Sequence, residues 1–235
     1  MTIWLASYPR SGNTCARIAL RYLFGMPSRS IYPERDMEEL GPVIGELPPV
    51  MDVETASECC FLKTHEMPGE DHWPAIYLVR DGRDTLVSYA HYVLREKRGI
   101  SPGSDRELFL GTLQELILSR ERFGGWGQHI LAWTQRTAPT CVVRIENLIA
   151  RPEKELRRAL AAIGGPQLTQ TGVSLPSFER LHQAVPWFFR SGKVGAWPAQ
   201  MPPYLQSLFW EHHGEAMGAL GYGRTVSATR NPMQT

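Results

Sequence analysis

Nowhere in this chain of 235 residues do ~18 apolar residues run together, which argues against a membrane-crossing helix. The apolar run at the N-terminus, Ile3–Leu5, is too short for the core of a secretory signal. Charge of one sign is also missing. Lys and Arg number 25 against 24 Asp and Glu, and a net charge of +1 gives no whole-protein attraction to nucleic acid or to an anionic membrane surface. Any basic site must therefore be local. Cysteine is scarce, 4 in all, and Cys15, Cys59, Cys60 and Cys141 show no C-x-x-C spacing; adjacent Cys59 and Cys60 rarely pair with each other. Reduced thiols and a cytoplasmic location are expected. No internal repeat, low-complexity tract or linker-like boundary divides the chain, so one domain over 1–235 is expected, long enough for a substantial core. His212-His213, His182 and His72 have no further ligand at metal spacing, so no metal site is expected.

What is present alternates between two periods. Ile3–Tyr8, Cys60–Thr64, Ala75–Arg80 and Thr140–Ile145 are apolar runs closed by polar residues and read as buried strands. Between them, Cys15, Ile18, Ala19, Tyr22 and Leu23 fall on one helical stripe that ends near Gly25. A second helix, with Asp84 or Thr85 as N-cap, puts Leu86, Tyr89, Ala90, Val93 and Leu94 on one face. Further helices are predicted over Asp105–Arg122, Trp126–Gln135, Pro152–Ile163 and Pro203–Leu220, the third with a solvated face carrying Glu153 and Arg157, and Lys154 and Arg158, at i, i+4. Strands alternating with helices predict a mainly parallel sheet in a three-layer αβα sandwich. Segments 26–58, with a brief helical hint at Glu34–Leu40, and the loops within 95–125, polar over 95–106, read as binding loops or disorder, and 224–235 as a flexible tail.

Two stretches carry chemistry. In "ASYPRSGNT", residues 6 to 14, a strand ends in a tight turn and feeds a helix, which aims free backbone N–H groups and the positive end of the helix dipole at one point. Gly12 permits the turn and a close approach of ligand to backbone; Ser11 and Thr14 add hydroxyls, and Arg10 adds a positive charge. Against the nucleoside-triphosphatase pattern G-x-x-x-x-G-K-[ST], Ser7 stands at the first Gly, Gly12 at the second, Asn13 replaces the Lys and Thr14 keeps the hydroxyl. That suggests an anion held without the usual Lys and Mg²⁺. An ordinary capped strand–helix connection is the alternative. In "YLVRDGRDTLVSYAHY", residues 77 to 92, Arg80 closes a strand and Ser88 follows early in the next helix, so the two could meet on a second anion. The alternative there is a structural ion-pair cluster of Arg80, Asp81, Arg83 and Asp84.

Together these stretches resemble the two nucleotide motifs of the sulfotransferases that use 3′-phosphoadenosine 5′-phosphosulfate (PAPS): the loop Y-P-K-S-G-T-T-W and the 3′-phosphate motif R-N-P-x-D-x-x-V-S. Three more stretches fit in order. "FLKTHEMP" is similar to the family's strand ending in K-T-H, "VVRIENLIARPEKELRRALAAIG" to its Y-Y-E-D-x-x-x-x-P helix, and "FFRSGKVGAWPAQ" to its R-K-G-x-x-G-x-W segment. The resemblance spans residues 3 to about 222 and implies a P-loop-like fold.

It also implies roles. Arg10 would touch the bridging oxygen and sulfuryl group, and Ser11, Gly12, Asn13 and Thr14 would cradle the 5′-phosphate. Arg80 and Ser88 would hold the 3′-phosphate, helped by Arg190, Ser191 and Gly192. Lys63 would contact the sulfuryl group and His65 would be the general base. An alcohol is a poor nucleophile at neutral pH, so transfer to it needs a positioned base. A sulfuryl group carries less charge than a γ-phosphoryl group, so cationic side chains and N–H dipoles can neutralise it without a metal. The chain departs from the family at Cys15, where a Trp holds the adenine, at Ile145, where a Tyr stands, and at Ser191, which replaces a Lys. The expected partner is a small-molecule hydroxylated acceptor, with PAP as product and a homodimer left open. A small-molecule kinase and a non-catalytic nucleotide-binding protein are the competing readings.

Overall fold

The computed structural model describes residues 1–32, 41, 60–99, 105–119, 122–190 and 192–224. The helical hint at Glu34–Leu40, Cys59, Ser191 and residues 225–235 of the expected tail lie outside them. Among the described residues no helix is long and apolar enough to cross a membrane. Five strands, β1 (Thr2–Ser7), β2 (Ser28–Ser30), β3 (Cys60–Thr64), β4 (Ala75–Val79) and β5 (Thr140–Arg144), form one all-parallel sheet in the order β2-β3-β1-β4-β5. β4 is buried along its whole length, as strands covered on both faces must be. The helices among the described residues are α1 (Asn13–Phe24), α2 (Gly82–Arg98), α3 (Arg106–Ile117), α4 (Trp126–Gln135), α5 (Ile145–Ala150), α6 (Pro152–Ala162), α7 (Phe178–Ala184) and α8 (Pro203–Ala219). The mixed α/β fold with a central parallel sheet is the one expected from the alternation of periods.

The chain divides into two compact units, Met1–Val79 with Trp133–Gly192, and Arg80–Ala132 with Lys193–Thr235. The first holds the whole sheet. Ile3, Leu5, Phe61, Ile76, Leu78 and Val143 point to one face, against Ala16, Ala19, Leu20 and Phe24 of α1 and Leu156, Ala159 and Leu160 of α6. On the opposite face Tyr77 stacks on Trp133 at 5.5 Å. α1 is buried on two sides rather than along the single stripe expected. Its Ile18 and Tyr22 pack on Leu181, Val185 and Phe189, so that α7 and the segment after it lie along α1. Gly25 ends α1 in the left-handed region, at φ 66°, where it satisfies the last carbonyls.

In the second unit the N-cap of α2 is Asp81, not Asp84 or Thr85. The Asp81 carboxylate accepts from the Arg83 N–H at 2.9 Å and grips the Arg83 guanidinium in two bonds of 2.9 and 2.7 Å. Asp84 is turned to another task. Buried at 3% exposure, it accepts from the backbone N–H of Gly195 and Trp197 at 2.6 and 3.0 Å. Burial pushes its carboxyl up, an effect opposed by Arg80 and by those N–H donors.

Other boundaries also move. Residues 28–30, read as loop, are an edge strand, and α2 runs on to Arg98, into the stretch from 95 read as loop; the next helix, expected from Asp105, starts at the Asp105 cap. α3 stops at Ile117, short of Arg122. The strand read through Ile145 ends at Arg144, where α5 begins. On α6, Arg157 pairs with Glu153 as expected, but Arg158 pairs with Glu155 and also donates to the Val142 carbonyl, tying the helix to β5.

His213 of α8 gives this unit an acid sensitivity. It is buried at 2% exposure, its Nδ1 accepts from the Gly127 N–H at 3.3 Å, and its edge meets Trp126. Burial, with His212 beside it, pushes its imidazole down to about 4. In the unfolded chain the same group titrates near ~6.5, so as pH falls below that value the unfolded state gains a proton that the folded state takes up only near its own lower pKa. Stability is therefore lost as pH falls through this window, by ~2 kcal/mol between pH 7 and pH 5. Urea unfolding of the protein and of His213→Gln at both pH values checks this: the variant's pH dependence is expected to be smaller by that amount. Equal pH dependence would contradict it.

Candidate active site

Two left-handed residues within three, Arg10 at φ 67° and Gly12 at φ 101°, turn the chain from β1 into α1. Gly12 is the N-cap of α1 and no side chain caps it, so the first N–H groups of the helix remain for a ligand. A Cβ on Gly12 would lie 2.6 Å from Cγ1 of Ile145, the first residue of α5, so both φ and space require glycine there. This explains what Ile145 does in place of the family's Tyr: it is core, and it forms the floor under the turn. The Ser11 Oγ is buried and has no hydrogen-bond partner among the described residues, an orphan that a bound anion would satisfy.

Asn13, at the place of the triphosphatase Lys, does not send its side chain toward a ligand. Its amide donates to the Leu5 carbonyl at 2.8 Å and to Ser7 Oγ at 3.3 Å, locking the turn onto β1. Arg10 is likewise engaged inside the first unit. Its guanidinium donates to the Phe188 carbonyl at 2.8 Å and lies 4.2 Å from the centre of the Phe188 ring. The segment it clamps leads straight to Arg190, and His182 holds the same segment through Nδ1 on the Phe189 carbonyl at 2.8 Å.

Lys63 and His65 stand at the carboxyl end of β3, next to the carboxyl end of β1 in the parallel register Ala6↔Thr64. This is where open α/β sheets collect reactive groups. His65 Nδ1 lies 2.7 Å from the Ser7 carbonyl oxygen and 3.2 Å from Ser7 Oγ. A carbonyl can only accept, so Nδ1 carries the proton and Nε2 is the basic nitrogen of the ring. The His65 backbone N–H donates to the Tyr32 hydroxyl at 2.8 Å, and the two rings stack at 5.9 Å with 16° between their planes. The Lys63 ammonium lies 5.8 Å from the centre of the same Tyr32 ring.

Gly192 adopts φ 58°, and a Cβ there would lie 2.6 Å from the Phe178 ring. In the second unit, Arg80 donates to the Lys193 carbonyl at 3.0 Å and sits 3.9 Å from the Asp84 carboxylate, while Ser88 lies half-buried one turn beyond Asp84. The structural ion pairs weighed against an anion site are thus real, but they are divided: Arg83 is consumed by Asp81 at 2.7 Å, whereas the Arg80 ion pair among the described residues is the longer contact to Asp84.

Sequence reasoning missed Ser7 and Tyr32 as neighbours of His65. A hydroxyl residue closing β1 was the available signal for Ser7; Tyr32, 33 positions from His65, left none. It also missed Asp84 as the anchor of the 195–197 backbone.

The sulfotransferase-domain family model matches residues 70–221. Mouse Sulfotransferase 1E1 is 23% identical over 254 residues, covering 91% of this chain and 82% of the relative. Bovine Sulfotransferase 1A1 is 24% identical over the same shares. Among solved structures, mouse sulfotransferase SULT7A1 complexed with PAP superposes with a TM-score of 0.61 at 18% identity, covering 92% of this chain and 83% of that one, which is a likeness of fold. With the family match spanning more than half its length, over a parallel sheet whose strand ends present an uncapped helix and a tautomer-fixed histidine, this chain belongs to the sulfotransferase family.

Proposed function

We propose that this sulfotransferase transfers the sulfuryl group of PAPS to a hydroxyl of a small-molecule acceptor, with His65 as general base. The observation that carries the reading is the Ser7–His65 contact, which leaves Nε2 as the proton acceptor at the end of β3, beside the turn. PAPS supplies the sulfuryl group and departs as PAP.

The residues present fit that donor. Ser11 Oγ is a buried donor without a partner among the described residues, and the N-terminus of α1, which no side chain among them caps, offers N–H groups to the 5′-phosphate alongside Gly12 and Thr14. Lys63 places a cation near His65 to offset charge that develops during transfer. Arg10 holds the segment before Arg190, and we assign it to loop order as well as charge. Arg80 and Ser88 are assigned to the 3′-phosphate. His65 Nε2 takes the acceptor hydroxyl proton as the acceptor oxygen forms its bond to sulfur, and Ser7 steadies the imidazolium through Nδ1–H. A cytoplasmic location fits the cysteine usage. A screen of phenols, sugars, lipids and amines with radiolabelled PAPS tests the reading: labelled product is expected from at least one hydroxyl class and from none of the amines alone.

Transfer is expected to run at full rate in excess chelator. The turn lacks the metal-adjacent Lys, and Asn13, which stands in its place, is committed to Leu5 and Ser7. Activity abolished by chelator and restored by Mg²⁺ would favour a kinase-like nucleotide site instead.

A further inference from the structure

We propose that Tyr32 is a positioning residue for transfer, holding His65 through its hydroxyl and Lys63 through its ring; this rests on the reading of His65 as the base. The argument begins with the sheet. β2 pairs with β3 in the register Ser30↔Lys63, and the Ile31 N–H continues the ladder onto the Lys63 carbonyl at 3.3 Å. In a parallel ladder the next bond would run from the His65 N–H to the Ile31 carbonyl. It runs instead to the Tyr32 hydroxyl, at 2.8 Å. A side chain has replaced the backbone rung at the residue that bears the base.

The replacement brings more than a hydrogen bond. With its oxygen on the His65 backbone, the Tyr32 ring lies nearly parallel to the imidazole, 16° between planes, and that stacking limits rotation of the ring about its Cα–Cβ bond. The imidazole is then fixed from two sides: Ser7 sets which nitrogen carries the proton, and Tyr32 sets the plane in which Nε2 points. The same ring faces the Lys63 ammonium at 5.8 Å. One side chain just beyond the edge strand thus registers both groups that β3 offers to the reaction. Neither composition nor spacing marks Tyr32, because the contact crosses 33 positions of sequence.

The test uses the full chain and two acceptors, phenol and 4-nitrophenol at a pH where the latter is ionised. An ionised acceptor needs no base, so a residue acting through His65 matters only for phenol. Tyr32→Phe keeps the ring and removes the hydroxyl. It is expected to lower kcat for phenol roughly 10- to 100-fold, the scale for a misplaced catalytic group, and to leave transfer to 4-nitrophenolate and the affinity for PAP within about 3-fold. In a His65→Ala background Tyr32→Phe is expected to add nothing. In the unmodified protein the His65 amide is expected to be protected from hydrogen exchange. Unchanged phenol transfer in Tyr32→Phe, an equal loss with both acceptors, an added loss on His65→Ala, or exchange of the His65 amide at the rate of an exposed loop would each overturn the positioning role. None of those results touches His65 itself. A wild-type rate for phenol in His65→Ala is what overturns the base, so the two failures are told apart.

Discussion

His65→Ala is expected to lower kcat for an alcohol or un-ionised phenol by ~10²–10⁴ while leaving the affinity for PAP nearly intact, the range usual for removing a general base. That loss corresponds to ~3–5 kcal/mol of transition-state stabilisation. Binding and chemistry should separate because the imidazole contacts the end of β1 and Tyr32, whereas the groups we assign to the 5′-phosphate are those of the turn and of α1. The separation also guards against a structural explanation. His65 is half-buried and shares its neighbours with the turn, so a variant that loosened Ser7 would lose nucleotide affinity and kcat together. Calorimetric titration of PAP beside steady-state kinetics reads both quantities. Normal turnover in the variant would return His65 to a structural role.

The features legible in the sequence were those that local chemistry forces. The turn at 8–12 had to follow an apolar strand and precede a helical stripe, and only glycine fits at 12. β4 is a continuous apolar run of the kind a doubly covered parallel sheet demands, and β3 is a shorter one closed by Lys63 and Thr64. β2 was not legible, because Ser28, Arg29 and Ser30 have no apolar pattern; its place is set by pairing with β3 and by the Arg17 Nε bond to Ser28 Oγ at 2.8 Å. α7 is 7 residues long, too short for a helical period to declare itself. The cap of α2, read as Asp84 or Thr85, is Asp81, and long-range partners explain the difference: Gly195 and Trp197 hold the Asp84 carboxylate, while Asp81 accepts from the Arg83 N–H. In the site, residue types were legible and contacts were not. His65 could be named from its motif, but its contacts Ser7, at the end of β1, and Tyr32, just past β2, lie far from it in sequence.

Arg80→Ala is expected to remove most of a strong preference for PAP over AMP. The two nucleotides differ by the 3′-phosphate, and a charge-assisted hydrogen bond to it contributes ~1.5–3 kcal/mol, so Arg80 and Ser88 together should favour PAP by at least ~100-fold. We assign Arg80 to that contact because, among the described residues, its partners are the Lys193 carbonyl at 3.0 Å and the Asp84 carboxylate at 3.9 Å, a looser ion pair than that of Arg83 on Asp81 at 2.7 Å. AMP binding should weaken far less in the variant, since AMP offers Arg80 nothing beyond general attraction. A parallel loss for both nucleotides would mean instead that Arg80 supports the backbone at Lys193 and carries no phosphate.

The most direct test of the account is calorimetric titration of the unmodified protein with PAP and with AMP under one salt condition. Sulfuryl transfer from PAPS requires a protein built to hold a nucleotide bearing a 3′-phosphate, and the expected result is a dissociation constant for PAP lower than that for AMP by ~100-fold or more. Equal affinity for the two would contradict the assignment of PAPS as donor.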